Sequence, residues 1–337
     1  MRDEPLLNVS NLTVDLLTAK SAVRPVDGVS YSVRQGECLA IVGESGSGKT
    51  VMNFAPLGLM PTGVSTMLSG SVKLEGRELI GLSEPEIQKL RGKSVGFIFQ
   101  DPMSALNPVR RIGRQIAEMA ELHLDMTPRA AEARALELVK LVGISDPVAR
   151  LRQYPHELSG GLRQRIVIAI ALAGEPKLLI ADEPTTALDV TVQAQILRLL
   201  KDVQRRLNMA MVLITHDMGV VAGAADNIVV MYAARAAECG PVDKVLVSPR
   251  HPYTRGLINA IPRREDPIGS EFRGLPGIPP TLGAPIKGCA LAPRCELAVP
   301  ACSNSRPLWS GRTTVRFSWL APSSIKERLP HDTRTGS

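Results

Sequence analysis

The sequence predicts an α/β fold built on a largely parallel sheet. Three observations carry that expectation. Short, wholly apolar runs recur at 38–42, 95–99, 178–181, 211–214 and 228–231, as in strands buried on both faces. Helical segments separate several of them, the alternation that crossover connections produce. The first run also ends directly in a glycine-rich turn, Gly43-Glu44-Ser45-Gly46-Ser47-Gly48-Lys49-Thr50.

Along the chain, Leu12-Thr13-Val14-Asp15-Leu16 and Val29-Ser30-Tyr31-Ser32-Val33 alternate apolar with polar side chains, as half-buried strands do. The stretch 101–160 changes character and predicts a helical subdomain. Residues 109–124 fit a helix, Thr127 offers the N-cap of a second, Pro128 its first position and Gly143 its stop. Ala135, Leu138, Val139 and Val142 share one face of that second helix. An insertion of this size is a subdomain and not a loop. Beyond about residue 261 proline and glycine accumulate, as in Leu275-Pro276-Gly277-Ile278-Pro279-Pro280. The division predicted is 1–262 for the main domain and 263–337 for a C-terminal extension. Neither an internal repeat nor a heptad run is visible.

Composition narrows the classes. With 337 residues and 44% of them apolar, the chain can bury a sizeable core, which excludes wholesale disorder. Its longest strongly apolar run, 166–174, falls far short of the roughly 20 residues that span a bilayer. Met1-Arg2-Asp3-Glu4-Pro5 carries no apolar leader. A soluble chain on the cytoplasmic side is expected, reaching a membrane only by docking. The net charge is +7, and from Arg263 onward eleven basic residues face six acidic ones. They are scattered among prolines, so a solvated tail is favoured over a nucleic-acid or lipid surface. Five cysteines, an odd number without a leader, argue against a disulfide framework.

The glycine-rich turn matches G-x-x-x-x-G-K-[ST] at every position. Glycines let backbone N–H groups curl round phosphates, Lys49 supplies a point charge, Thr50 a hydroxyl for Mg²⁺, and the helix that follows its dipole. Asp182 ends an apolar run, where a carboxylate can hold Mg²⁺ through water. Glu183 comes next and can act as general base. Adjacent acids point to one spot only where a strand is ending, and Pro184 supports such an ending. Gln100 and His216 each follow a buried run; Gln100 can reach Mg²⁺ or the attacking water, His216 the γ-phosphate. A second phosphate-facing element is Leu158-Ser159-Gly160-Gly161-Leu162-Arg163-Gln164-Arg165, a Ser-Gly-Gly segment opening a helix.

In this order these elements resemble the ATP-binding cassette family. The resemblance covers residues 7 to about 261. It implies a P-loop nucleotide-binding domain with an antiparallel β subdomain, a helical subdomain and a C-terminal extension. It makes the chain an ATPase using ATP and Mg²⁺. Residues 43–50 would bind nucleotide, Glu183, His216 and Gln100 would be catalytic, and Thr50, Gln100 and Asp182 would serve the metal. Ser159, Gly160, Gly161 and Gln164 form the signature, which acts on the ATP held by a partner cassette, and Asp189 belongs to the interfacial D-loop. The family often stacks adenine on an aromatic ahead of the phosphate loop; Leu16 occupies that place here, and no aromatic lies between Asn11 and Ser30.

Four stretches resemble the dipeptide, oligopeptide and nickel importers, in particular the ATPase commonly called the D subunit. They are the run from Phe99 to Pro108, the run from Ala181 to Ile196, His251-Pro252-Tyr253-Thr254-Arg255-Gly256-Leu257, and residues 275–280. This implies a second cassette, commonly a different chain, two membrane permease subunits and an extracytoplasmic binding protein, at the cytoplasmic face of the inner membrane. Nickel or another small solute stands as the alternative cargo. A soluble cassette ATPase acting on nucleic acid is the rival class, disfavoured by the short stretch 100–158. Cys289, Cys295 and Cys302 resemble a four-cysteine tail motif in which some members hold a [4Fe–4S] cluster. Phe317 stands at the fourth position, and the expectation leans toward plain packing over a bound cluster.

Overall fold

The structure, a computed structural model, describes residues 4–17, 21–261, 274–282, 286–305, 309–310 and 318–319. In chain order the N-terminal half comprises β1 (Leu7–Leu17), β2 (Ala22–Val33), β3 (Cys38–Val42), α1 (Lys49–Phe54), β4 (Ser65–Leu74), β5 (Arg77–Glu78), α2 (Glu84–Leu90) and β6 (Val95–Ile98). Helices α3 (Pro102–Ala105), α4 (Ile112–Leu124), α5 (Pro128–Leu141), α6 (Pro147–Arg152) and α7 (Gly160–Leu172) follow. Then come β7 (Leu178–Asp182), α8 (Val190–Arg206), β8 (Ala210–Thr215), α9 (Met218–Ala224), β9 (Asn227–Tyr232), β10 (Arg235–Pro241), α10 (Val242–Val247), α11 (Pro252–Asn259) and α12 (Pro300–Asn304).

Two sheets organise these elements. A six-stranded sheet runs β10-β9-β3-β8-β7-β6, with β6, β7, β8, β3 and β9 parallel and β10 antiparallel at the edge. A four-stranded antiparallel sheet runs β2-β1-β4-β5. Both match the expected class. The parallel sheet is buried on both faces, so its strands carry no polar stripe: on β7, Leu178 and Ile180 join the core shared with the antiparallel sheet, while Leu179 and Ala181 join the core under the helices.

The helical subdomain forms as its caps and faces predict. Thr127 accepts a hydrogen bond from the Ala130 N–H at 3.4 Å, and Pro128 opens α5. Gly143, at φ 70°, closes it by donating to the Lys140 carbonyl at 3.0 Å. Ala135, Leu138, Val139 and Val142 are all buried. The preceding helix begins at Ile112 and not at 109, because Asn107-Pro108 forms a turn anchored by Gln115, which accepts from the Asn107 N–H and donates to its carbonyl. Helix α7 is buried at Ile166, Val167, Ile168, Ala169, Ala171 and Leu172, so it threads the core instead of lying on it. Leu291, from the stretch beyond 262, packs in one core with Tyr253 and β9.

Leu138 is 0% exposed at the centre of the helical subdomain. Leu138→Ala should cost about 2–5 kcal/mol of stability. A thermal scan should find the melting temperature several degrees lower; an unchanged Tm would contradict this packing.

Candidate nucleotide site

The phosphate loop leaves β3 and enters α1 with Gly46 at φ 76° and Gly48 at φ 101°, left-handed values that favour glycine. At Gly48 a Cβ would also collide with the Pro25 carbonyl of β2, so any larger residue would open the loop. Lys49 donates to the Gly43 carbonyl at 2.8 Å and the Glu44 carbonyl at 3.0 Å, which folds the loop round its amine. Burial lowers the Lys49 pKa, opposed by Glu183, Asp182 and Glu44. The Ser47 hydroxyl is buried and without a hydrogen-bond partner among the described residues.

Thr50 donates to an Asp182 carboxylate oxygen at 2.8 Å, joining the start of α1 to the end of β7. Asp182 is 4% exposed, and burial raises its pKa against the lowering effect of the Thr50 bond. A buried carboxylate beside a hydroxyl, at the mouth of a loop whose glycines leave room for phosphate, is an oxygen donor set suited to Mg²⁺. The residues therefore fit MgATP.

Glu183 follows at φ 46°, a left-handed residue that breaks the strand alternation, with its N–H bonded to the Ile214 carbonyl at 2.9 Å. That turn lets the neighbouring acid face the same edge as Asp182. The Glu183 carboxylate is a hub. It accepts from Gln100 Nε2 at 3.2 Å and from Thr186 Oγ1 at 3.0 Å, and His216 Nδ1 stands 3.3 Å from it. Gln100, Glu183 and His216 come from just beyond β6, β7 and β8, three neighbouring parallel strands, so the sheet order itself assembles them. Phe99 stacks with Phe97 and meets Phe54 of α1 edge-on at 5.6 Å, which steadies the approach to Gln100. The hydrogen bond that Gln100 makes goes to Glu183, beside the Thr50–Asp182 pair. Thr186 escaped the sequence reading; one threonine after Glu183-Pro184 carries no distinguishing pattern.

The signature segment lies on a separate surface. Ser159 caps α7 by accepting from the Leu162 N–H at 3.4 Å, and Ser159 and Gly160 are exposed. A Cβ on Gly161 would crowd Val192, so that glycine also lets α7 and α8 approach. Asp189 is exposed and caps α8 through the Val192 N–H at 2.9 Å. Gln164 departs from the expectation. It is 1% exposed, and its amide has no hydrogen-bond partner among the described residues. Five residues beyond Ser159, helical rotation has carried it into the core, where it cannot face another chain.

The described tail cysteines give no support to an iron–sulfur cluster. Cys302 is buried against Cys289, Ala292, Leu297 and Val299, and burial raises the thiol pKa of Cys289 and Cys295 in the metal-free chain. Among the described residues no group of three or more His, Cys, Asp or Glu is arranged to hold a metal. Phe317, the expected fourth position, lies outside the described residues.

A phosphate loop, a Mg²⁺-suited Thr–Asp pair and a carboxylate hub on adjacent strand ends define an ATP-binding cassette ATPase. Comparison with known proteins agrees. Residues 26–186 match the ABC transporter family, and residues 237–302 match the oligopeptide/dipeptide transporter C-terminal region, which thus begins inside β10. The chain is 50% identical to the oligopeptide transport ATP-binding protein OppD of Bacillus subtilis, over 94% of this chain and 88% of that one. It is 47% identical to the dipeptide transport ATP-binding protein DppD of the same organism, over 90% of each chain. A dimeric post-hydrolysis state of the cassette MJ0796, bound to ADP and Pi, superposes with TM-score 0.61 at 27% identity, covering 70% of this chain and 98% of that one. The chain belongs to the ABC transporter ATPase family, in its oligopeptide/dipeptide branch.

The raised Asp182 pKa has a measurable consequence. A folded-state pKa above the unfolded one means that ionisation weakens the fold, so stability is fully present below the unfolded pKa and lost as pH rises through the folded one. Without nucleotide, Asp182→Asn should therefore melt above wild type at neutral pH. That gain should fade as pH falls into the carboxylate range. A gain independent of pH would contradict the assignment.

Proposed function

We propose that this chain powers import of di- or oligopeptides through a membrane transporter, by binding and hydrolysing ATP as it closes against a second cassette. The observation that carries the catalytic reading is the Glu183 carboxylate, held by Gln100, Thr186 and His216 beside the Thr50–Asp182 pair. Residues 43–50 cradle the phosphates, with Lys49 on the β/γ oxygens. Mg²⁺, when held by Thr50 and Asp182, neutralises charge on those oxygens. Glu183 takes a proton from water, whose oxygen attacks the γ-phosphorus, and ADP departs with the bridging oxygen. His216 and Gln100 fix the carboxylate and the water. Ser159, Gly160 and Gly161 serve the ATP of the partner cassette, and Asp189 lies at that junction. The exposure of Ser159, Gly160 and Asp189 supports this assignment.

Cargo and partners rest on kinship. The relatives named above are peptide-transport proteins, which disfavours the nickel and nucleic-acid readings. By the same kinship the chain works with membrane permeases, two in number, and an extracytoplasmic binding protein, held peripherally at the cytoplasmic face. Among the described residues no helix is long and apolar enough to cross a membrane. Residues following Gln100 receive a permease element. The division into 1–262 and 263–337 stays our working boundary, and the three tail thiols serve packing.

Glu183→Gln should bind ATP with near wild-type affinity and lose hydrolysis by a factor of 100 or more, on the order of a missing general base. Undiminished turnover would sink the role given to Glu183. Affinity purification of the tagged chain from detergent extract should bring down permease subunits; nucleic acid retained in a salt-sensitive way would favour the rival.

A further inference from the structure

Two motifs that the nucleotide site does not use converge on one residue of it. In the first, His251 caps α11, its Nδ1 accepting from the Tyr253 N–H at 3.1 Å, and Tyr253 is 0% exposed. The Tyr253 hydroxyl accepts from the Glu44 N–H at 2.9 Å. In the second, the Pro276 carbonyl accepts from Arg294 Nε at 2.8 Å. The Arg294 guanidinium grips the Glu44 carboxylate with both terminal nitrogens, at 2.8 and 2.9 Å. It also donates to the Tyr232 hydroxyl at 3.3 Å and lies 5.8 Å from the centre of that ring. Tyr232 and Tyr253 contact one another, their rings 4.4 Å apart.

Arg294 is 5% exposed. A buried guanidinium persists only where its donors are matched, and here the forked pair, the carbonyl, the hydroxyl and the ring face supply the match. Glycines are costly to order, so contacts to the few side chains of a glycine-rich loop help to fix its shape. Glu44 is gripped at both its N–H and its carboxylate, and its carbonyl is one of the two that receive Lys49.

We propose that Arg294 is a positioning residue for the phosphate loop: acting through Glu44, it makes the nucleotide affinity of residues 43–50 depend on the C-terminal segment folded around Pro276 and Arg294. This rests on the reading of 43–50 as the nucleotide site. Linkage is reciprocal, so nucleotide in the loop must in turn steady that segment.

The test titrates the full chain with trinitrophenyl-ATP and Mg²⁺. Arg294→Met and Glu44→Gln should each weaken binding about tenfold, as expected for a charged hydrogen-bonded pair. Arg294→Lys should fall between Arg294→Met and wild type, keeping the charge and losing the fork. The double variant should bind no worse than Arg294→Met, because both changes break one link. Wild-type affinity in Arg294→Met, or single effects that add in the double variant, would overturn the proposal while leaving the nucleotide site standing. Unchanged affinity in Lys49→Ala would instead remove the nucleotide-site reading, and the proposal with it. Hydrogen exchange guards against a variant that merely misfolds. MgATP should slow exchange across 286–305 in wild type but not in Glu44→Gln, which leaves Arg294 in place; no slowing in wild type overturns the coupling.

Discussion

Parallel pairing decides where chemistry can happen in this molecule. Because β3, β6, β7 and β8 all run the same way, their C-terminal ends open on one edge of the sheet, and each end delivers a functional group there. The phosphate loop leaves β3, Gln100 follows β6, Asp182 and Glu183 end β7, and His216 follows β8. An antiparallel arrangement of the same segments would scatter these groups over opposite edges. The two-sided burial of the strands makes the register hard to shift, since a slip by one residue would exchange the contents of two separate cores.

The electrostatics of that edge run against the fold. Lys49 and Asp182 are both held where burial disfavours their charged forms. Under the proposed function, a polyanion beside Lys49 and a divalent cation beside Asp182 would compensate those charges. Stability given up at such a place is the usual companion of function, so substitutions there that steady the bare chain should cost activity.

Local signals carried much of this organisation. The loop from Gly43 to Thr50, the Thr127-Pro128 cap, the Gly143 stop and the placement of Gln100, Glu183 and His216 at strand ends follow from residue type and spacing. What spacing does not carry is pairing. Nothing in the neighbourhood of Gln100 says that its amide meets Glu183, 83 positions away. Thr186 has no signature of its own until the φ 46° turn at Glu183 brings it back onto the carboxylate. Gln164 shows the opposite failure: it belongs to a recognisable segment, yet helical geometry turns it inward.

The short turn between Glu183 and Asp189 has one more consequence. It begins at the hub carboxylate and ends at the cap of α8, and α8 leans on Gly161 through Val192. A single stretch of backbone thus links the Glu183 carboxylate, through Thr186, to the exposed start of α8 at Asp189. Under the proposed pairing of two cassettes, that stretch would join each chain's own Glu183 to the surface it offers its neighbour.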